Sequence, residues 1–183
     1  YLDNVDDLSN PETYTVFDSG GTDTFDFSHH DDDQLLDLRE ESHSNTGGLT
    51  GNVGIARGTI IEYGKTGSGA DALIGNGAAN GLTSGAGADT IDGAAGNDAI
   101  SSGDDIDMVL GGDGLDLIAG GAGDDLLDGG EDADVLFGDD VSLADLTVLF
   151  PGWTPPADGA DLIAEGDLLA VWESIVDDVF AMT

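Results

Sequence analysis

From Thr66 to Phe137 the chain divides into eight consecutive nine-residue units without an insertion or deletion: TGSGADALI, GNGAANGLT, SGAGADTID, GAAGNDAIS, SGDDIDMVL, GGDGLDLIA, GGAGDDLLD and GGEDADVLF. The sixth place reads Asp71, Asn80, Asp89, Asp98, Asp107, Asp116, Asp125 and Asp134, and the eighth reads Leu73, Leu82, Ile91, Ile100, Val109, Ile118, Leu127 and Leu136. A generic acidic linker has no reason to hold one carboxylate and one aliphatic side chain in constant phase over 72 residues. A short fixed period marks a stacked architecture, in which each unit is too small to bury its own apolar side chain and does so against its neighbours.

The units match the G-G-x-G-x-D-x-U-x nonapeptide of RTX proteins, whose repeats form a calcium-binding parallel β-helix. The spacing has a physical reason. Glycines at places one, two and four permit positive φ and a tight turn that leaves carbonyls facing a common point. The x-U-x segment is extended, so its aliphatic side chain points inward while its neighbours point out. One nonapeptide makes a turn and a short strand, and two complete a coil of 18 residues. Eight units predict about four coils stacked at roughly 4.8 Å, or on the order of 20 Å of roll.

Charge gives the sixth place its chemistry. Asp and Glu total 39 against 3 Lys and Arg, a formal net charge of -36, and Arg39, Arg57 and Lys65 all precede the repeats. Such a chain expands unless cations neutralise it. The same charge speaks against nucleic acid and anionic membrane surfaces as partners. Stacking brings the sixth-place Asp of one unit near that of the unit after next. Carbonyls and carboxylates suit calcium, which takes six to eight oxygens, better than magnesium, which demands a smaller octahedron. Calcium is therefore expected to be a folding partner, its binding free energy serving as folding free energy. Cysteine is absent, which excludes disulfides and thiolate sites. No apolar run reaches the roughly 18 residues of a membrane span. The chain begins at Tyr1 without methionine, which suggests a fragment or processed product.

The segments TVFDSGGTDTFDFS (15 to 28), GGLTGNVGIARGTIIE (47 to 62) and GSGADALIGNGAANGLTSGAGADTIDG (67 to 93) resemble the C-terminal half of serralysin-type secreted zinc metalloproteases. The resemblance covers roughly residues 14 to 137. In that family each roll calcium takes places two, four and six of one unit and places one, three and six of the unit after next. Carried over, one side of the roll would use Gly67, Gly69, Asp71 with Ser84, Ala86, Asp89; then Gly85, Gly87, Asp89 with Ser102, Asp104, Asp107; then Gly103, Asp105, Asp107 with Gly120, Ala122, Asp125. The other side would use Asn76, Ala78, Asn80 with Gly93, Ala95, Asp98; then Ala94, Gly96, Asp98 with Gly111, Asp113, Asp116; then Gly112, Gly114, Asp116 with Gly129, Glu131, Asp134. That implies six roll sites. Before the roll, the resemblance assigns Asp18, Gly20 and Asp23 to one calcium and Gly21, Asp23, Gly58, Ile60 and Glu62 to another. Ile60 stands where the family usually has Thr and could offer only its carbonyl. The first pre-roll site is completed in the family by an Arg-x-Gly-x-Thr segment upstream, before the first residue of this chain. Asp105 and Asp132 replace fourth-place glycines where positive φ is wanted, a region Asp tolerates better than most residues.

The family's catalytic domain carries zinc on an H-E-x-x-H helix. His29, His30 and His43 form no such pattern, and no Ser-His-Asp order or phosphate loop stands out. Zinc is expected only in a catalytic domain outside this chain, and the chain alone is not expected to be an enzyme. SHHDDDQ reads as a solvated loop. Phe25 and Phe27 alternate with polar neighbours and predict a strand with one buried face; GNVGIARGTIIEYG (51 to 64) reads as a strand leading into the roll. Trp153, beside Pro151, Pro155 and Pro156, is expected in a loop covering the roll's open end. In the tail, Leu168, Leu169, Trp172, Ile175, Val176 and Val179 have helical spacing and predict a capping helix, while Asp177, Asp178, Val179, Phe180 and Ala181 look like the acidic-then-hydrophobic ending of type I secreted proteins.

The expected fold is all-β: a parallel β-roll, that is a right-handed β-helix of calcium-binding nonapeptide repeats, preceded by short strands and closed by a C-terminal helical cap. The expected division is a pre-roll segment over 1–65, eight repeats over 66–137, and a capping segment with a secretion signal over 138–183. The expected function is a calcium-dependent roll of an exported protein, unfolded in the calcium-poor cytoplasm and folded outside the cell, with a catalytic domain upstream and a type I secretion apparatus as partners. An RTX adhesin or surface module is the competing reading, favoured by long arrays and aromatic patches, which eight units and few aromatics do not supply. An ice-binding face would need a regular Thr rank, whereas Thr83 and Thr90 are isolated. A lipase or another hydrolase could share the roll, but the DSGGTDTFDFS block points to the protease.

Overall fold

The computed structural model describes residues 14–140, 142–151, 153–156 and 168–180. Two parallel sheets face each other. One is six-stranded, built in spatial order from Thr24–Asp26, Tyr63–Lys65, Gly81–Ala86, Ala99–Asp104, Leu117–Ala122 and Val135–Phe137; the other is five-stranded, from Leu35–Asp37, Ala72–Ile74, Thr90–Asp92, Met108–Asp113 and Leu126–Glu131. Within the repeats every pairing joins residues one coil apart, as in Ile100 with Leu82 and Ile118, or Val109 with Ile91 and Leu127. This is the expected β-roll. Alternation in the x-U-x segments sends the eighth-place side chains between the sheets, where Leu73, Leu82, Ile91, Ile100, Val109 and Ile118 are fully buried with Phe25, Phe27, Leu36 and Leu38. Each such side chain contributes about 1.5–3 kcal/mol of burial.

The sheets do not begin at the first repeat. Leu35–Asp37 pairs in register with Ala72–Ile74, and Thr24–Asp26 with Tyr63–Lys65, so the preceding segment supplies the lowest coil of the same roll. Phe25 and Phe27 turn inward as their spacing predicts. The strand expected over 51–64 is broken in two: Val53–Ile55 joins a small sheet with Tyr14–Val16 and His43–Ser44, and the chain turns at Ala56 to Thr59 before Tyr63–Lys65 enters the roll. Gly58, at φ 80°, makes the break possible.

The turns also revise the glycine pattern. Second-place Gly85, Gly103, Gly112, Gly121 and Gly130 and fourth-place Gly87, Gly96 and Gly114 have positive φ, and so do Ala94, Asp105 and Asp132 at 76°, 80° and 78°. First-place glycines do not; what they supply is room. A Cβ at Gly111 would lie 2.4 Å from Asp116 Oδ2 and 2.5 Å from the Gly129 carbonyl oxygen.

Two helices follow the repeats. Helix α1, Leu143–Leu149, opens with a reciprocal capping box between Ser142 and Asp145, a signal present in the sequence and missed there. Helix α2, Leu168–Ile175, matches the predicted helix and ends in a π-helical turn, Val176–Phe180. The expected cover over the roll's open end is not what Trp153 provides. Trp153, Phe150 and Leu146 pack with Leu168, Leu169, Val171, Trp172 and Ile175 against Ala99, Leu117 and Ala119, which project from the outer face of the six-stranded sheet. Trp172 Nε1 donates to the Leu115 carbonyl at 2.8 Å, and Trp153 Nε1 donates to Ser174 Oγ at 3.1 Å. Ala99 and Leu117 hold place seven of their units and Ala119 place nine, so the helix lies against the side of the roll. At the end of the roll, Leu136, an eighth-place residue, is 42% exposed. Ala181 and the residues after it, part of the expected secretion ending, lie outside the described residues.

Candidate metal centres

The turns stack into two columns, one at each end of the sheets, and the sixth-place residues form a ladder along each. The main-chain N–H of Asp71 donates to Asp89 Oδ1 at 2.8 Å, that of Asp89 to Asp107 at 2.9 Å, and that of Asp107 to Asp125 at 3.0 Å. In the other column Asn80 donates to Asp98 at 2.7 Å, Asp98 to Asp116 at 2.8 Å and Asp116 to Asp134 at 3.1 Å. The ladder fixes one carboxylate oxygen of each Asp. The other, Oδ2, is buried without a hydrogen-bond partner in Asp71, Asp89, Asp98, Asp107, Asp116 and Asp125. A buried, unpaired carboxylate oxygen is costly, and six in two columns mark a missing counter-charge.

Carbonyls line the same columns. A Cβ at Gly87 would meet the Gly69 carbonyl oxygen at 1.9 Å, one at Gly103 the Gly85 oxygen at 1.9 Å, and one at Gly114 the Gly96 oxygen at 1.8 Å. Second-place and fourth-place carbonyls thus point along the roll axis at the coil above. Several accept one interstrand bond, as Gly67 does from Ala86 N–H and Ala94 from Asp113 N–H, which leaves each a second lone pair. At first places of one column Thr66 Oγ1 donates to the Ser84 carbonyl, Ser84 Oγ to Ser102 and Ser102 Oγ to Gly120, a hydroxyl ladder that the sequence reading did not anticipate.

Without a cation these carboxyls resist ionisation. Burial pushes Asp98 up to about 8 and Asp89 and Asp116 to about 6; it also raises Asp71 and Asp107. Among the described residues no three His, Asp or Glu side chains converge into a side-chain metal cluster, so any ion here needs carbonyl oxygens as well. That donor set, hard oxygens from main chain and carboxylate, fits calcium.

The observed register sets the two sixth-place residues of each of the six implied ligand groups in contact, one coil apart. Asn80 departs in detail: its Oδ1 accepts the Asn76 N–H at 2.8 Å and its Nδ2 reaches the Ile61 and Glu62 carbonyls, both at 3.2 Å. Ahead of the roll, Asp18 N–H donates to Thr59 Oγ1 at 3.2 Å and Asp23 N–H to Glu62 Oε2 at 2.9 Å, so the 18–23 loop meets the 58–62 turn. Burial raises the Glu62 pKa, while the exposed Asp18 carboxyl is held below its ordinary value by the Gly20 N–H. Ile60 is 52% exposed. Sequence reading missed Glu40, whose carboxylate accepts the Gly58 N–H at 2.7 Å beside this turn.

A roll of stacked nonapeptides with two columns of buried carboxylates defines a calcium-binding RTX β-roll, and residues 110–141 match the RTX calcium-binding nonapeptide repeat. Residues 3–123, more than half of the chain, match the peptidase M10 serralysin C-terminal model, and the chain belongs to that family. It is similar to a serralysin of Photorhabdus laumondii (58% identical over 69 residues, 38% of this chain and 14% of the relative), to the metalloprotease AprA of Pseudomonas entomophila (52% over 69 residues, 38% and 14%) and to serralysin C of Dickeya chrysanthemi (50% over 68 residues, 37% and 14%). Each match thus spans about one seventh of the relative's own length.

Proposed function

We propose that this chain is the calcium-triggered folding module of a secreted zinc metalloendopeptidase, with six calcium ions in the roll and one or two in the preceding loops. The buried, unpartnered Oδ2 atoms of Asp71, Asp89, Asp98, Asp107, Asp116 and Asp125 carry this reading. Bound calcium supplies the positive charge that the chain lacks. The chain contributes the rest: the N–H ladder orients each carboxylate, positive-φ turns aim the carbonyls, and the inner aliphatic column holds successive coils in register. Ligand binding to the folded state alone stabilises it by about 4 kcal/mol per site when free calcium is a thousandfold above Kd. Several such sites decide between an expanded polyanion and a roll.

In this reading the unfolded acidic chain passes through a type I secretion apparatus from a calcium-poor cytoplasm and folds outside the cell, assisting an upstream catalytic domain that holds the zinc. The similarity to named serralysins and the family match support it. Circular dichroism with calcium titrated into chelator-treated protein is the test: a cooperative gain of β-structure is expected, and a chain fully folded in chelator and indifferent to calcium would overturn the reading. The protease parent is tested by sequencing upstream of Tyr1, where H-E-x-x-H is expected.

A further inference from the structure

The segment HHDDDQLLD, residues 29–37, behaves as a ninth unit of the roll. Leu35, Leu36 and Asp37 pair with Ala72, Leu73 and Ile74, so Gln34 lies one coil below Asp71 and Leu36 is an inward eighth-place residue, fully buried. The ladder continues into it: Gln34 N–H donates to Asp71 Oδ1 at 2.7 Å, the geometry by which Asp71 donates to Asp89. The turns correspond as well. Ser68 N–H donates to the His30 carbonyl at 3.1 Å, as Ala86 N–H does to Gly67. A Cβ at Gly67 would lie 2.2 Å from the His30 carbonyl oxygen, and one at Gly69 2.8 Å from that of Asp32. His30 and Asp32 therefore present carbonyls in the second-place and fourth-place positions.

Two side chains of this layer are left incomplete. Gln34 is 4% exposed; its Nε2 donates to the Phe27 carbonyl at 3.3 Å, while its Oε1 is buried with no partner. Asp71, 2% exposed, has its Oδ2 in the same condition. Asp31 and Asp33 flank the turn, their carboxylates accepting from Ser68 Oγ at 2.9 Å and Ala70 N–H at 3.0 Å. An amide carbonyl is an accepted calcium donor where a carboxylate is absent.

We propose a further calcium site at the base of this column, held by the carbonyls of His30, Asp32, Thr66 and Ser68 with Gln34 Oε1 and Asp71 Oδ2. The inference rests on the reading of the columns above as calcium sites. With one carboxylate in place of two, this site is the weakest of its column, by roughly tenfold or more in Kd, and fills last. It ties the segment before the repeats to the first repeat in a calcium-dependent way.

The full chain, crystallised with calcium exchanged for terbium, tests this directly. Anomalous peaks are expected along both columns and one more between Gln34 and Asp71. Peaks in the upper coils with none at the base overturn this site and leave the roll reading intact; no peaks anywhere overturn both. In solution, equilibrium dialysis should show that Gln34→Met, which keeps the shape and removes the oxygen, binds one calcium fewer than wild type, whereas Gln34→Glu keeps the count and tightens the weakest site about tenfold. An unchanged count in a folded Gln34→Met variant also overturns the proposal; should that variant not fold, the terbium map of the wild type decides.

Discussion

The main-chain N–H of Asp98 donates to Asp116 Oδ1 at 2.8 Å, and Asp116 Oδ2, on the same carboxylate, is buried with no partner. One carboxylate thus does two things. Its first oxygen sets the coil-to-coil register, and its second is held in place with nothing to neutralise it. The metal-free roll is consequently strained electrostatically at the points where it is best ordered.

That arrangement predicts an inverted pH dependence. Asp98, Asp89 and Asp116 ordinarily titrate at 3.8 and are pushed up to about 8, 6 and 6 by burial. A group whose pKa is raised by folding favours the folded state most below its unfolded value, and that contribution is lost as pH rises through the folded value. In chelator, the folded fraction should therefore be higher at pH 5 than at pH 8. In saturating calcium the order reverses, because protons compete for the ligands. Circular dichroism along two pH series, with and without chelator, checks both signs.

Glycine positions should differ sharply in tolerance. Gly87→Ala puts a Cβ 1.9 Å from the Gly69 carbonyl oxygen at φ 120°, so both space and conformation oppose it; a loss of at least about 3 kcal/mol is expected. Gly77, at a third place, has nothing within 4 Å of its Cβ position, and Gly77→Ala should be neutral within about 0.5 kcal/mol. Thermal melts of the calcium-loaded variants separate the two.

The helical cap should be separable from the metal columns. Trp172 is fully buried on the outer face of the six-stranded sheet, whereas the sixth-place ladders lie at the turns. Trp172→Ala should cost about 3–5 kcal/mol and shift the emission of its neighbour Trp153 toward the red, with calcium stoichiometry unchanged. A loss of bound calcium would show that the cap and columns are one cooperative unit.

Much of this was legible because a constant nine-residue phase assigns each chemical type to one direction in space. Place eight is inside, place six is in the turn, and Asp105 and Asp132 take the positive φ that their places demand. Residues 29–37 were hidden because residues 38–65 separate them from the first repeat and break the phase, and because Gln34 stands where Asp is the signal; SHHDDDQ (28 to 34) read as a solvated loop, whereas Gln34 is buried. The direction of the cap was also missed. The sequence held no clear cue for it: Ala99, Leu117, Ala119, Val135 and Phe137 stand at places seven and nine of the covered face, but Met108, Leu110 and Leu126 hold the same places on the other face and stay exposed.

Asp98 offers the sharpest separation of the two forces acting on the roll, because the ligand sets implied by the family place it in two successive sites. Asp98→Asn keeps an oxygen to accept the Asn80 N–H and removes the charge that burial penalises most strongly in this chain. In chelator at pH 9, where the wild-type carboxyl would ionise, the variant should populate more roll than the wild type. In calcium it should be weaker, with the folding midpoint shifted to roughly tenfold higher calcium, about 1.4 kcal/mol for the charge lost between two sites. Opposite signs in the two conditions are the expected result of paired calcium titrations. A variant destabilised in both would mean that Asp98 serves packing and register, and that its charge is not what calcium reads.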